Sequence, residues 1–380
     1  MSLGCGAIIK LLYIITGLHT GGAETMLVNL VEKLLVATDQ QLAITVVSLT
    51  PIVASPLVLR LRKLGIIPVV CNIYGLGFIK LLRLIFKLKP DVVHTWMYHA
   101  NFIGGIAARI LGIKRLIWSI RNNYDANTQI KFLTKILVYL GMLTSYFLPQ
   151  KIICNSQCGM RTHSNIGYNK KIMRCIDNGY DLKKFCPDLA VRTSMRNKLK
   201  ILDNEVAIGY IARNHPVKDH ASFIAAAALM LKSQQNIKFI LVGSGVDLDP
   251  QILNLLYSLD LKKYFLLLGE IAAINLLIPA LDIVTSCSLS EGSPGAVAEA
   301  MASGVPCVVT DVGDSARIVG STGIVVPIQA PLELCRAWQS MLDGEAYQDR
   351  GVLARQRIRQ YFSAAKMLAS YQDLYCTNHS

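Results

Sequence analysis

The chain has 380 residues, of which 52% are hydrophobic and only 17% charged. That is too long for one ordinary core and too apolar for a disordered chain, so two folded domains with large buried sheets are expected. Lysine and arginine outnumber aspartate and glutamate 39 to 25, a net charge of +14, which favours an anionic partner such as a nucleotide or an anionic membrane surface. The basic residues are scattered rather than gathered in a stripe or recognisable module, so no nucleic-acid partner is expected.

The apolar run at 7–18 lacks a basic leader and is interrupted by Lys10, so it does not read as a signal peptide. Apart from Lys10, residues 8–15 are apolar, the mark of a strand buried on both faces. After Gly21-Gly22, the side chains Leu27, Leu30, Val31, Leu34 and Leu35 fall on one helical face. Strands are expected at 42–49, 66–70, 91–95, 115–119, 151–155 and 172–177, with helices at 57–64, 78–88, 100–111, 128–147 and 156–166. Such alternation implies a parallel sheet covered by helices on both sides. Residues 178–204 read as a polar, basic connector. The pattern then restarts, with strands at 206–212, 238–242, 265–268, 282–285, 306–310 and 323–326 and helical sequence from 332 to 375. The apolar run 136–149 falls short of the roughly 18 to 20 residues a spanning helix needs, and 264–287 is broken by Glu270, Pro279 and Asp282, so no transmembrane helix is expected. The ten cysteines show no Cys-x-x-Cys pair and no histidine at zinc spacing. They read as small buried hydrophobes in a reducing compartment.

Polar, glycine-rich segments fall at the expected carboxyl ends of the strands, where open α/β sheets bind ligands. The richest is Ser290-Glu291-Gly292-Ser293-Pro294-Gly295-Ala296-Val297-Ala298-Glu299-Ala300, running on to Ser303-Gly304. Pro294 suits the first turn of a helix and Gly304 its left-handed close. A helix start there offers free N–H groups and a positive dipole end to a phosphate. Glu291 and Glu299, one before the helix and one within it, either stand solvated or accept hydrogen bonds from hydroxyls flanking that phosphate. Gly21-Gly22 is either a tight turn or a close approach to phosphate; the order of glycines is not a dinucleotide fingerprint. Arg213 and Lys218 are either surface charges or a pair that neutralises a diphosphate leaving group. His94, at a strand end, reads as structural, whereas His99 is evenly poised between a structural role and a contact to a sugar or its phosphate. Arg121 and Asn122 end another strand and are placed on the acceptor side. Asp247 and Asp249 have metal-pair spacing but sit in a loop leading to a helix, so no metal is expected.

Taken together, Gly21-Gly22-Ala23-Glu24, the Asp91–Asn101 segment, Trp118–Asn122, Ile176-Asp177-Asn178-Gly179, Arg213 with Lys218-Asp219-His220, Gly243-Ser244-Gly245, and the Glu291–Glu299 motif running into Ala300–Pro306 resemble a family-4 retaining glycosyltransferase of the GT-B type. The resemblance covers nearly the whole chain. It implies two facing Rossmann-like doubly wound parallel-sheet domains with a cleft between them. An acceptor-binding domain would span 1–185, a nucleotide-sugar-binding domain 186–360, and a helix at 361–380 would pack back on the first. It implies that Glu299 holds the ribose, Glu291 the donor sugar hydroxyls, and Arg213 and Lys218 the diphosphate, assisted by the Gly22 backbone and by Gly243 and Gly292-Ser293-Pro294-Gly295-Ala296. His99 would sit near the donor sugar. No metal or cofactor would be needed, and anomeric configuration would be kept by front-face displacement. The chain departs from the family at Trp96, where many relatives have histidine, and at Asp219, where a glycine commonly follows the basic residue.

The function expected is transfer of a hexose or N-acetylhexosamine from a nucleoside-diphosphate sugar to a glycan or lipid-linked glycan of a surface polysaccharide. The protein is expected to be cytoplasmic, attached peripherally to the inner, anionic face of the membrane through its basic balance and the apolar stretch 132–148. The alternative is a catalytically silent nucleotide-sugar-binding partner in an assembly complex, against which the full set of Arg213, Lys218, Glu291 and Glu299 stands.

Overall fold

A computed structural model describes residues 8–19, 21–37, 42–52, 55–124, 132–343 and 347–376. The end of the polar segment 121–127, the start of the helix expected at 128–147 and Cys5 lie outside the described residues. The chain forms two compact units, Met1–Gly179 with Ala365–Ser380, and Tyr180–Ala364.

The first unit alternates β1 (Ile9–Ile15), α1 (Gly22–Ala37), β2 (Leu42–Ser48), α2 (Pro56–Lys63), β3 (Val69–Val70), α3 (Gly77–Leu88), β4 (Val92–Trp96), α4 (Tyr98–Ile110), β5 (Leu116–Ile120), α5 (Phe132–Thr144), β6 (Lys151–Cys154), α6 (Gln157–Asn165) and β7 (Met173–Cys175). Its seven strands are parallel, in the order β3-β2-β1-β4-β5-β6-β7. The apolar run 11–15 of β1 is explained by its central place, with Leu11 to Ile15 all buried between two helical layers and only Lys10 exposed near the strand's start.

The second unit contains α7 (Leu189–Leu199), β8 (Val206–Ile211), α8 (His220–Met230), β9 (Ile237–Val242), α9 (Pro250–Ser258), β10 (Phe265–Leu267), α10 (Ile274–Leu277), β11 (Ile283–Ser286), α11 (Gly295–Ala302), β12 (Cys307–Thr310), α12 (Ser315–Val319), β13 (Ile324–Val326), α13 (Pro331–Leu342) and α14 (Tyr347–Tyr361). Its six parallel strands run β10-β9-β8-β11-β12-β13. Phe223, Phe239, Phe265 and Trp338 fill its core edge to face. α15 (Ala364–Cys376) packs within the first unit, where the Tyr375 hydroxyl meets that of Tyr13 at 2.9 Å.

The segment expected as a basic connector, 178–204, is partly a packed helix. Asp188 caps α7 by accepting from the Val191 N–H at 2.9 Å. Arg196 turns inward instead of facing water, pairing with Asp282 at 3.2 Å and donating to the carbonyls of Ala280, Leu202 and Glu205. Composition read as a linker because these basic side chains are structural ones. Pro294 is likewise one position off: it precedes α11 as the cap rather than lying in the first turn. The strand expected at 66–70 is only Val69–Val70. None of the nine described cysteines forms a disulfide with another described residue.

Candidate active site

Ligands in open parallel sheets bind beyond the carboxyl ends of the strands, where the strand order reverses. In the second unit that reversal lies between β8 and β11. The loop after β8 carries Arg213 and Lys218, and the loop after β11 carries Ser288 and Glu291. The structure joins them. Lys218 Nζ forms a salt bridge with Glu291 Oε1, the two side chains being only 19% and 15% exposed. Ser288 Oγ donates to the same oxygen at 2.6 Å. The Tyr210 hydroxyl donates to the Lys218 carbonyl and lies 3.4 Å from Ser288 Oγ. The Leu289 N–H donates to the Val217 carbonyl at 2.8 Å. Two loops distant in sequence thus form one platform with an ammonium at its centre.

Lys218 closes a short 3-10 turn, and Asp219 after it has φ 49° and ψ 54°. This is the left-handed conformation that the family's usual glycine supplies freely. Aspartate is among the few other residues that tolerate it, and here it also caps α8 by accepting from the Ser222 N–H at 3.2 Å.

Gly243 positions the Arg213 loop. A Cβ there would stand 2.1 Å from the Ala212 carbonyl oxygen and 2.8 Å from the Arg213 nitrogen. The loops are laced together by the Gly243 N–H donating to Gly269 at 2.7 Å and the Asn214 N–H donating to Ser244 at 2.8 Å. Arg213 itself is exposed and has no ion pair among the described residues. Burial, then Arg213 and Lys218, hold the His215 imidazole below its usual range. Both cations therefore act on one neighbourhood. Asp249 caps α9 through the Gln251 and Ile252 N–H groups and accepts from Asn214, so backbone donors hold its carboxyl below the usual range.

The Glu291 loop leads into α11, whose first-turn N–H groups have no intrahelical partner. A Cβ on Gly295 would meet nothing within 4 Å, so the helix start is open. Glu299 follows one turn on. The protein packed around it pushes its carboxyl up to about 7, against a smaller pull from Lys184. The loop is braced from behind: the Asp314 N–H donates to Gly292 at 3.0 Å, Thr310 Oγ1 donates to Ser288 at 2.7 Å, and a Cβ on Gly313 would strike the Glu291 carbonyl at 2.1 Å. Tyr210, Thr310 and Gly313 carried no signal in the sequence, and Ser288 only as the start of a polar segment at a strand end. Their roles arise from pairings across strands.

In the first unit the order reverses between β1 and β4. Gly21-Gly22 follow β1 and open α1. A Cβ on Gly22 would meet nothing within 4 Å, whereas one on Gly21 would strike the Glu24 carboxylate at 2.4 Å. Met97, between β4 and α4, has φ 74° and ψ 160°, a conformation costing on the order of 1–3 kcal/mol outside glycine. Such strain at a strand end turns the chain sharply and sets His99 in the first turn of α4. His99 is partly buried, and burial holds its imidazole below the usual range. His94 is fully buried, with ring nitrogens 2.7 Å from the Tyr375 hydroxyl and 3.0 Å from Ser119 Oγ. That accounts for it as a structural residue. Arg121 and Asn122 follow β5 and diverge: Arg121 is 7% exposed, and Asn122 faces solvent.

Two family models match the chain: Glycosyltransferase Family 4 over residues 20–184 and Glycosyl transferases group 1 over 205–344. The UDP-Gal:alpha-D-GlcNAc-diphosphoundecaprenol alpha-1,3-galactosyltransferase of Escherichia coli is 24% identical, covering 81% of this chain and 82% of its own. The alpha-monoglucosyldiacylglycerol synthase of Acholeplasma laidlawii is 26% identical over 63% of each. The crystal structure of Anabaena HepE in complex with UDP superposes with a TM-score of 0.83 at 20% identity, covering 96% of this chain and 99% of that one. The two parallel-sheet, Rossmann-like units are those of GT-B enzymes, and the chain belongs to the family-4, group 1 glycosyltransferases.

Proposed function

We propose that this glycosyltransferase moves a hexose or N-acetylhexosamine from a nucleoside-diphosphate sugar to a glycan or lipid-linked glycan acceptor, with retention of anomeric configuration and without a metal ion. The observation that carries the reading is the Lys218–Glu291 pair at the strand reversal of the second unit, beside the open start of α11 and one turn from Glu299. Phosphate suits the helix start, with Arg213 and Lys218 balancing the charge that develops as the anomeric C–O bond breaks. Glu291 accepts from sugar hydroxyls and Glu299 from the ribose. In a front-face displacement the acceptor oxygen bonds to the anomeric carbon on the side the diphosphate leaves, and its proton passes to the departing phosphate oxygen. His99, held neutral by burial, contacts the donor sugar. The relatives favour a uridine donor, since the E. coli enzyme is named for UDP-Gal and the HepE crystals contain UDP. No observation favours the silent-partner reading.

The test is release of nucleoside diphosphate from a panel of UDP-sugars with a membrane extract as acceptor and a chelator present. Release with one donor, lost in Glu291→Ala, and an α-linked product by NMR are expected. Inversion, or dependence on a divalent ion, would sink those parts of the reading.

The same proposal includes peripheral attachment to an anionic membrane. Among the described residues no helix is long and apolar enough to cross one. α5 exposes Phe132, Leu133, Tyr139 and Leu143, while α3 exposes Ile79 and Phe86 among Lys80, Arg83 and Lys87. Both helices pack against α4, so an apolar and a basic helix flank one side of the sheet. The protein is expected to pellet with anionic vesicles, less with zwitterionic ones, and to be released by high salt. Indifference to anionic vesicles removes the membrane part and leaves the transferase reading standing.

A further inference from the structure

Arg121 is a buried charge with no ion pair among the described residues of the first unit. All three guanidinium nitrogens are buried and without a hydrogen-bond partner. The carbon of the guanidinium lies 3.9 Å from the centroid of the Trp96 ring. The titratable groups facing it include His94 from β4, Cys154 from β6, and Tyr371 and Tyr375 from α15. None is anionic near neutral pH: burial drives the histidine down, the thiol up to about 12 and both tyrosines up. A cation–π contact offsets about 2 kcal/mol when desolvated, whereas an unpaired buried charge costs several. Packing alone is a poor reason to keep an arginine here.

The neighbouring polar groups share the deficit. Trp96 Nε1 is buried without an acceptor, and so is the Tyr371 hydroxyl, which lies near Ser119 and Arg121 without hydrogen-bond geometry to either. Thr16 Oγ1, after β1, and Asn178 Oδ1, after β7, are also unpartnered. Thr16, Trp96, Arg121 and Asn178 stand at or just after the carboxyl ends of strands in one parallel sheet, the edge where such sheets hold ligands, and Tyr371 comes from α15. Around Arg121 the unmet groups are donors: three guanidinium nitrogens, an indole N–H and a phenol. A carboxylate would satisfy one edge of the guanidinium. A phosphate has enough oxygens for the edge, the indole and the phenol together.

We propose that Arg121, with Trp96 Nε1 and the Tyr371 hydroxyl, anchors a phosphate group of the acceptor substrate. This rests on the reading that the first unit receives the acceptor. It makes the acceptor a phosphate- or diphosphate-bearing molecule rather than a neutral glycan. Because the guanidinium is covered, binding requires one covering side chain to turn away.

The experiment compares wild type with Arg121→Met and Arg121→Lys, using saturating UDP to fill the donor site. Calorimetry then measures the affinity for octyl phosphate, below its micelle concentration, and for inorganic phosphate. Wild type is expected to bind octyl phosphate, Arg121→Met roughly 10–100-fold more weakly, and Arg121→Lys in between. Without ligand, Arg121→Met should melt no lower than wild type, because an unpaired buried charge has been removed. Equal octyl phosphate affinity in wild type and Arg121→Met overturns the proposal, as does a wild type that binds UDP but no octyl phosphate. So does a large fall in melting temperature in Arg121→Met that Arg121→Lys restores without a change in phosphate affinity. Inorganic phosphate binding as tightly as octyl phosphate overturns the acceptor assignment. Failure of wild type to bind UDP would instead strike the donor reading.

Discussion

Lys218→Ala is expected to lower the transfer rate roughly 10²–10³-fold, the usual cost of removing one charge aimed at a developing oxyanion. The reason is its setting. Lys218 is mostly buried, fixed by Glu291 on its ammonium and by the Tyr210 hydroxyl on its carbonyl. A pre-organised cation needs little rearrangement when the diphosphate leaves. Arg213 is exposed and has no ion pair among the described residues to hold it, so it is no substitute for that fixed charge. Initial rates with saturating donor and acceptor, beside a melting curve to confirm folding, decide the matter. A loss below about threefold would mean that Lys218 only completes the Glu291 loop. Glu291→Ala should act differently, lowering kcat and also weakening the sugar-specific part of donor affinity while leaving free UDP affinity nearly unchanged.

UDP affinity is expected to rise about tenfold from pH 6 to pH 8 and to become nearly flat in Glu299→Gln. In the free protein the Glu299 carboxyl is pushed up to about 7 by the protein around it. In the proposed contact a ribose diol donates to the ionised carboxylate, so binding favours proton release, and affinity grows as pH passes through 7. Stability carries the opposite sign. The folded carboxyl holds its proton more tightly than the unfolded one, so its contribution is complete below the unfolded value of 4.5 and is lost as pH rises towards 7. The loss is at most about 3 kcal/mol. Glu299→Gln should therefore melt higher than wild type at pH 8 in the absence of nucleotide, while binding UDP roughly 10–100-fold more weakly. Calorimetric titration at three pH values is sufficient. A flat wild-type profile would remove Glu299 from the ribose contact.

Much of the proposed donor side is contiguous along the chain. The Glu291–Glu299 motif is contiguous, and a strand end, a loop and a helix start are all local features. Helical and strand periodicities likewise marked almost every element, because a buried parallel strand is apolar throughout and a surface helix is apolar on one face. The misreadings have a common cause. Arg196 reads as solvated linker charge until Asp282, 86 residues away, is placed against it. The departure at Asp219 is explained by its φ of 49°, the left-handed conformation that a glycine adopts freely and an aspartate tolerates.

The sequence alone determined the alternation that makes two parallel-sheet units, the family, and which residue types stand at the strand ends. These depend on neighbours within a few turns of chain. Only the tertiary structure decided which charges are paired and which are not. It joined Lys218 to Glu291 across 73 residues. It buried His94 among Tyr375 and Ser119 and left the Arg121 guanidinium buried without a hydrogen-bond partner among the described residues. The free energy of a charge depends on its solvent and its partners, and both are set by contacts between segments that the order of residues does not place together.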